Sequence, residues 1–153
     1  MSGIIAPGSE VPEFTLRRED GQPFGRDDLA GTTTVLVFYP AAFSSVCTDQ
    51  FQILEEVLDD LGAQGATVYG VSCDQSDSQT AFRESLSVTI AMLSDFEPKG
   101  AVSRAFGAYW EPDGKSTRAL VIVGPDQTVK WSWIGEHPGI LPGANLIFDG
   151  LAA

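Results

Sequence analysis

Val35-Leu36-Val37-Phe38-Tyr39-Pro40-Ala41-Ala42-Phe43-Ser44-Ser45-Val46-Cys47-Thr48 decides how the rest of the chain is read. It opens as an unbroken apolar run of strand formers, the pattern of a strand covered on both faces. Pro40 ends that strand, because proline offers a ladder no N–H. Beyond a short turn the pattern becomes helical: Phe51, Leu54, Leu58 and Leu61 recur at spacings of three and four and form one apolar stripe. The spacing predicts a helix from about Ser45 to Leu61, with Ser44 or Ser45 as N-cap. Cys47 stands four residues before Phe51, on the inward face of the first turn. Unpaired backbone N–H groups and the positive end of the helix dipole there favour thiolate over thiol. A cysteine at such a place is either a reactive sulfur or a small buried hydrophobe. Gln50 stands where a Cys-x-x-Cys pair would put its second thiol, so a reactive Cys47 starts alone.

Composition narrows the function classes. A chain of 153 residues fits one domain, 1–153, with room for a sizeable core. A formal net charge of −12, with only Lys99, Lys115 and Lys130 as lysines, argues against nucleic acid and against anionic membranes as partners. No stretch approaches the roughly 18 apolar residues of a membrane span. The N-terminus lacks a basic n-region, and with two cysteines the expectation is a reducing compartment, the cytoplasm.

Around the central strand the other elements fall in order. Residues 1–13 read as an irregular lead-in, Phe14 to Arg17 as a half-exposed strand, and Asp20-Gly21 as a turn. Arg26 to Gly31 resembles one helical turn closed by glycine, and the central strand spans Thr33 to Tyr39. Glu55, Glu56, Asp59 and Asp60 crowd the C-terminal half of the long helix, where the dipole disfavours anions. Thr67 to Ser72 is a second buried strand. Gln75 to Leu86 is a helix with Ser76 as cap and Ala81, Phe82 and Leu86 inward. Ile90 to Leu93 is a short apolar piece, and Pro98 suits the first turn of a helix running to about Phe106. Strands Arg118 to Val123 and Thr128 to Ile134 and a last helix from Ala144 to Leu151 complete the chain.

The segment Phe38 to Cys47 resembles the active-site segment of the peroxiredoxins: a proline, three residues, threonine or serine, two residues, then the peroxidatic cysteine. The resemblance continues through Gly70-Val71-Ser72-Cys73-Asp74, Leu93-Ser94-Asp95-Phe96, Gly100 to Gly107 and Arg118-Ala119-Leu120-Val121-Ile122. It covers Gly8 to Trp133 and is strongest toward the one-cysteine, AhpE-like branch, close to the bacterioferritin-comigratory-protein/PrxQ group. It implies a thioredoxin-like α/β fold, a central mixed sheet with helices on both faces, and this agrees with the β-α-β order followed by two adjacent strands and a helix. The implied activity is thiol-dependent reduction of hydrogen peroxide or an alkyl hydroperoxide through a sulfenic acid. The implied partners are a reducing thiol (thioredoxin, a glutaredoxin or mycoredoxin-type protein, or a small thiol) and a second copy in a homodimer. No cofactor or metal is called for, and His137 in its turn lacks partners for either role.

Carried onto this chain, the resemblance makes Cys47 the peroxidatic sulfur and Arg118 the cation beside it. Arg118 otherwise reads as a solvated charge at a strand start, and Arg104 is the alternative cation. Ser44 stands where most relatives carry threonine, and its hydroxyl can both accept from backbone N–H and donate to sulfur or peroxide. Pro40 packs over the sulfur and excludes water. The backbone N–H groups of Val46 and Cys47 hold the peroxide oxygens. Gln50 stands where relatives commonly have glutamate, so it keeps an acceptor for the arginine but loses the charge. Cys73, at a strand end where sites assemble in parallel sheets, is either the resolving cysteine or a non-resolving thiol, near the site or buried. Two competing readings remain open: a dithiol oxidoreductase, against which the missing Cys-x-x-Cys stands, and a redox-sensing or chaperone-like interaction protein.

Overall fold

A computed structural model describes residues 3–137 and 139–153, so Met1 and Ser2 of the lead-in and Pro138 of the His137 turn lie outside the described residues. The central run forms β3 (Thr33–Phe38), parallel to β4 (Ala66–Ser72), which is parallel to β5 (Ala91–Ser94). On the other side β8 (Ala119–Val123) runs antiparallel to β3, and β9 (Val129–Ile134) antiparallel to β8. β1 (Thr15–Arg18) and β2 (Pro23–Gly25) extend the far edge, giving the order β2-β1-β5-β4-β3-β8-β9. A separate hairpin joins β6 (Tyr109–Trp110) to β7 (Lys115–Ser116).

Strand alternation sorts the core into two layers. Val35, Val37 and Tyr39 point to one face with Val68, Leu120 and Ile122, and are covered by α1 (Ser45–Glu56), α2 (Leu58–Ala63), α3 (Ser76–Leu86) and α5 (Ala144–Ala152). Leu36, Phe38, Val71, Ala119 and Val121 point to the other, where α4 (Ala101–Phe106) supplies Val102 and Phe106. Helices therefore lie on both faces of a mixed sheet, as the sequence implies.

Four local expectations are corrected. The long helix breaks at Val57 (φ −108°, ψ 8°), so Asp59 and Asp60 open α2, where the dipole favours anions. Glu55 is engaged as well: its two carboxylate oxygens accept from the N–H and hydroxyl of Thr89, each at 2.8 Å. In α3, Gln75 holds the N-cap position with extended backbone and Ser76 is the first helical residue. The inward positions are Gln79 and Phe82, with Leu86 half-buried, while Ala81 is exposed; the Gln79 NH2 donates to Ser72 Oγ and Leu93 O inside. Pro98 lies outside α4, which starts at Ala101 with its Val102 and Ser103 N–H groups donating to the buried Asp95 carboxylate at 3.0 and 2.7 Å.

Gly70 seats α1 on the sheet. Phe51 of α1 lies edge-on to Tyr39 (4.9 Å between centroids) and to Phe82 (6.0 Å), and its ring presses against the Gly70 backbone. A Cβ on Gly70 would stand 2.6 Å from Met92 Sδ and 2.9 Å from Phe51 Cζ. Gly70→Ala is therefore expected to destabilise the protein by about 1–3 kcal/mol through overpacking. Urea unfolding measures this, and an unchanged midpoint would contradict the packing described.

Candidate active site

The end of β3 is where distant parts of the chain meet. Tyr39 still donates its N–H to Val71 O (2.9 Å), and Pro40 then turns the backbone away while staying buried. Because β8 is antiparallel, its beginning lies beside the end of β3, with Ala119 opposite Phe38. Arg118 immediately precedes that pair. Alternation along β8 places it with Leu120 and Ile122 on the α1 side of the sheet.

The local chain then brings the sulfur to it. Ser44 caps α1 with its Oγ accepting from Cys47 N–H at 3.3 Å, and its carbonyl accepts from Thr48 N–H at 2.9 Å. Cys47 is completely buried. The Nη1 of Arg118 donates to Cys47 Sγ at 3.1 Å and to Gln50 Oε1 at 2.7 Å. Arg118 is itself only 1% exposed, so the charge is lodged in the interior and acts at low dielectric. A buried guanidinium is costly without acceptors, and the sulfur and the Gln50 carbonyl supply two. Gln50 orients the group without adding a carboxylate of its own. The arrangement sets a guanidinium N–H donor directly against the Cys47 sulfur in a water-poor interior, where a charge-assisted hydrogen bond is strong.

The expected site residues thus gather at one point: Cys47, Arg118, Gln50, Ser44 and the adjoining Val46, with Pro40 just upstream. Gln50 meets the arginine rather than lining open space. The Cys47 N–H is directed to Ser44 Oγ, which leaves the serine proton free to be donated elsewhere. Arg104 lies apart. It is half exposed, pairs with Glu111 at 2.5 Å and sits over the Tyr109 ring at 3.8 Å.

Cys73 also lies apart from Cys47. Tyr69 and Val71 of β4 belong to the α4 face, and Cys73, next in that alternation, meets Ser116 Oγ at 3.6 Å; Ser116 in turn bonds Ser103 at 2.7 Å. Burial pushes the Cys73 thiol up from its ordinary value, with the hydroxyl of Ser116 opposing the shift. His137 accepts from Gly139 N–H at 3.1 Å within its own turn. Among the described residues, no cluster of three or more His, Cys, Asp or Glu is placed to hold a metal.

One participant is marked by nothing in the spacing. Asp74 reaches across from the end of β4, and its Oδ2 accepts from Ala42 N–H at 2.8 Å, inside the turn between Pro40 and Ser44. The only hint in the sequence is its place at the C-terminal end of a parallel strand.

Strand order together with a cysteine in the first turn of α1 fits the thioredoxin-like peroxiredoxins. The profile of the AhpC/TSA family matches residues 7–132, and the chain belongs to that family; it is a thiol-dependent peroxidase. It is 34% identical over 119 residues to a protein of Mycobacterium tuberculosis named as a peroxiredoxin, covering 76% of this chain and 74% of that one. Alkyl hydroperoxide reductase E of the same organism is 29% identical over 151 residues, 98% of each chain, in keeping with the AhpE-like branch. Among solved structures, AhpC of Enterococcus faecalis superposes with a TM-score of 0.87 at 27% identity, covering 99% of this chain and 92% of that one.

The geometry separates the two candidate arginines. Arg118→Ala is expected to slow the reaction of the reduced protein with peroxide by about 100-fold or more, as for loss of one preorganised donor. Arg104→Ala should leave that rate unchanged. Rapid-mixing rates of the two variants measure this, and equal effects would contradict the assignment of the cation.

Proposed function

We propose that Cys47 is the peroxidatic residue and that it reduces hydrogen peroxide or an alkyl hydroperoxide. The observation that carries this reading is the 3.1 Å bond from Arg118 Nη1 to Cys47 Sγ. The thiolate attacks one peroxide oxygen, a sulfur–oxygen bond forms, and the O–O bond breaks. The leaving oxygen takes a proton and departs as water or alcohol, with Arg118 and the Ser44 hydroxyl as donors while charge builds on it. The Val46 N–H, in the same first turn, is the backbone group assigned to the peroxide oxygens. Pro40 shields the sulfur from bulk water, which strengthens these interactions.

The product is a cysteine sulfenic acid. A thiol from outside attacks it, releases water and forms a mixed disulfide, and a second thiol restores Cys47. Thioredoxin, a glutaredoxin or mycoredoxin-type protein, or a small thiol fits that role equally well on chemical grounds. Cys73 is a buried thiol in this reading rather than the resolving residue, because its bond to Ser116 and its strand position put it on the opposite face of the sheet from Cys47. We place the enzyme in the cytoplasm, where two free thiols persist, and as a homodimer with the exposed Phe43 (59%) at the rim of the site. No helix among the described residues is long and apolar enough to cross a membrane.

Mixing reduced protein with one equivalent of hydrogen peroxide while following tryptophan fluorescence tests the reading. Oxidation should be far faster than that of free cysteine and should disappear in Cys47→Ser. A rate no better than free cysteine, or one untouched by that substitution, sinks it. Intact mass decides the fate of Cys73: a gain of one oxygen is expected, and a loss of two hydrogens would show a disulfide instead.

A further inference from the structure

The turn from Pro40 to Ser44 carries both the shielding proline and the cap of α1, yet its own backbone is unfavourable. Phe43 has φ +68°, a left-handed conformation that costs a non-glycine residue on the order of 1–2 kcal/mol. Its ring touches Phe82 edge-on at 5.4 Å but remains 59% exposed, so packing alone holds it weakly. Something else must fix the peptide just upstream.

Asp74 does so through a hydrogen-bond chain whose direction is set by chemistry. The carbonyl of Leu93 can only accept, so the Gln79 group facing it at 2.8 Å is the NH2, and that same Nε2 also donates to Ser72 Oγ at 2.9 Å. Ser72 Oγ must then spend its proton on Asp74 Oδ2, at 2.8 Å. The carboxylate, an acceptor only, takes the Ala42 N–H at the same oxygen, also at 2.8 Å. The backbone of Asp74 is held as well, its carbonyl accepting from Ser94 Oγ at 2.5 Å. Gln79 and Ser72 are completely buried, so the chain is anchored in the core. Pro40 is thereby clamped from both sides: Tyr39 N–H is held by Val71 O and Ala42 N–H by Asp74.

We propose that Asp74 is a positioning residue of the peroxide site, holding through its bond to Ala42 the turn that sets Pro40, Ser44 and the Val46–Cys47 backbone around the incoming peroxide. This rests on Cys47 being the sulfur that attacks peroxide. The acceptor geometry is what matters: one oxygen takes both bonds, so an asparagine carbonyl can replace it, whereas alanine cannot.

Two rates on the reduced full-length protein test this, oxidation of Cys47 by hydrogen peroxide and its alkylation by iodoacetamide. Peroxide needs its oxygens placed, while alkylation needs only a charged and reachable sulfur. Asp74→Ala should lower the peroxide rate by about 10- to 100-fold, the usual effect of a small misplacement, and leave alkylation unchanged or faster. Asp74→Asn should stay within a few-fold of wild type in both. If Asp74→Ala does not fold, Ser72→Ala, which frees the carboxylate from its orienting bond, should lower the peroxide rate alone. An unchanged peroxide rate in the variant that folds, a parallel fall in both rates, or Asp74→Asn falling as far as Asp74→Ala would overturn the proposal. Wild-type protein oxidising no faster than free cysteine would remove the peroxidase reading itself and this inference with it.

Discussion

A guanidinium with almost no exposure stands 3.1 Å from a sulfur with none, and the rest of the structure is arranged to make that contact hold. Two such groups do not meet in a protein interior by default. A buried cation is expensive, and its cost falls only when acceptors surround it and an opposite charge is available. Here the Cys47 sulfur and the Gln50 carbonyl are among its acceptors, at 3.1 and 2.7 Å. The burial that makes the pair costly also makes it effective, since each Coulombic interaction is stronger where water is absent.

The sheet supplies the placement. Arg118 and Cys47 are 71 residues apart in sequence, and the antiparallel β3–β8 pair brings their segments together. A slip of one residue in that register would turn Arg118 to the α4 face, away from the sulfur. The buried valine, leucine and isoleucine side chains of both strands oppose such a slip, because it would exchange every core contact at once. Fold stability and site geometry are therefore the same constraint viewed at two scales. The Phe51 contact with Gly70 extends it to α1, and with it to the cap and the cysteine.

Much of this could be read from residues alone. The strand, the proline stop, the cap and the cysteine lie within fourteen consecutive positions, where local rules of propensity and capping apply. The helices on both faces follow from the β-α-β order. Pairing Arg118 with Cys47 needed the family resemblance, because an arginine at a strand start has no signal that distinguishes a solvated charge from a buried one. Several misread parts share one cause, tertiary partners that propensity cannot see. Glu55 looks misplaced at its helix end, yet Thr89 donates to both its carboxylate oxygens. Gln79 faces inward because two buried acceptors wait for it. Asp74 escaped notice for the same reason, since its bond to Ala42 spans 32 residues.

The central claim concerns one sulfur, and chemistry can be asked directly which one reacts. Reduced protein treated with one equivalent of hydrogen peroxide in the presence of dimedone, then digested and mapped by mass spectrometry, reports where a sulfenic acid formed. The account predicts the adduct on the Cys47 peptide and none on Cys73, whose thiol lies beside Ser116 and is pushed up from its ordinary value by burial. An adduct on Cys73 with Cys47 unmodified would contradict it.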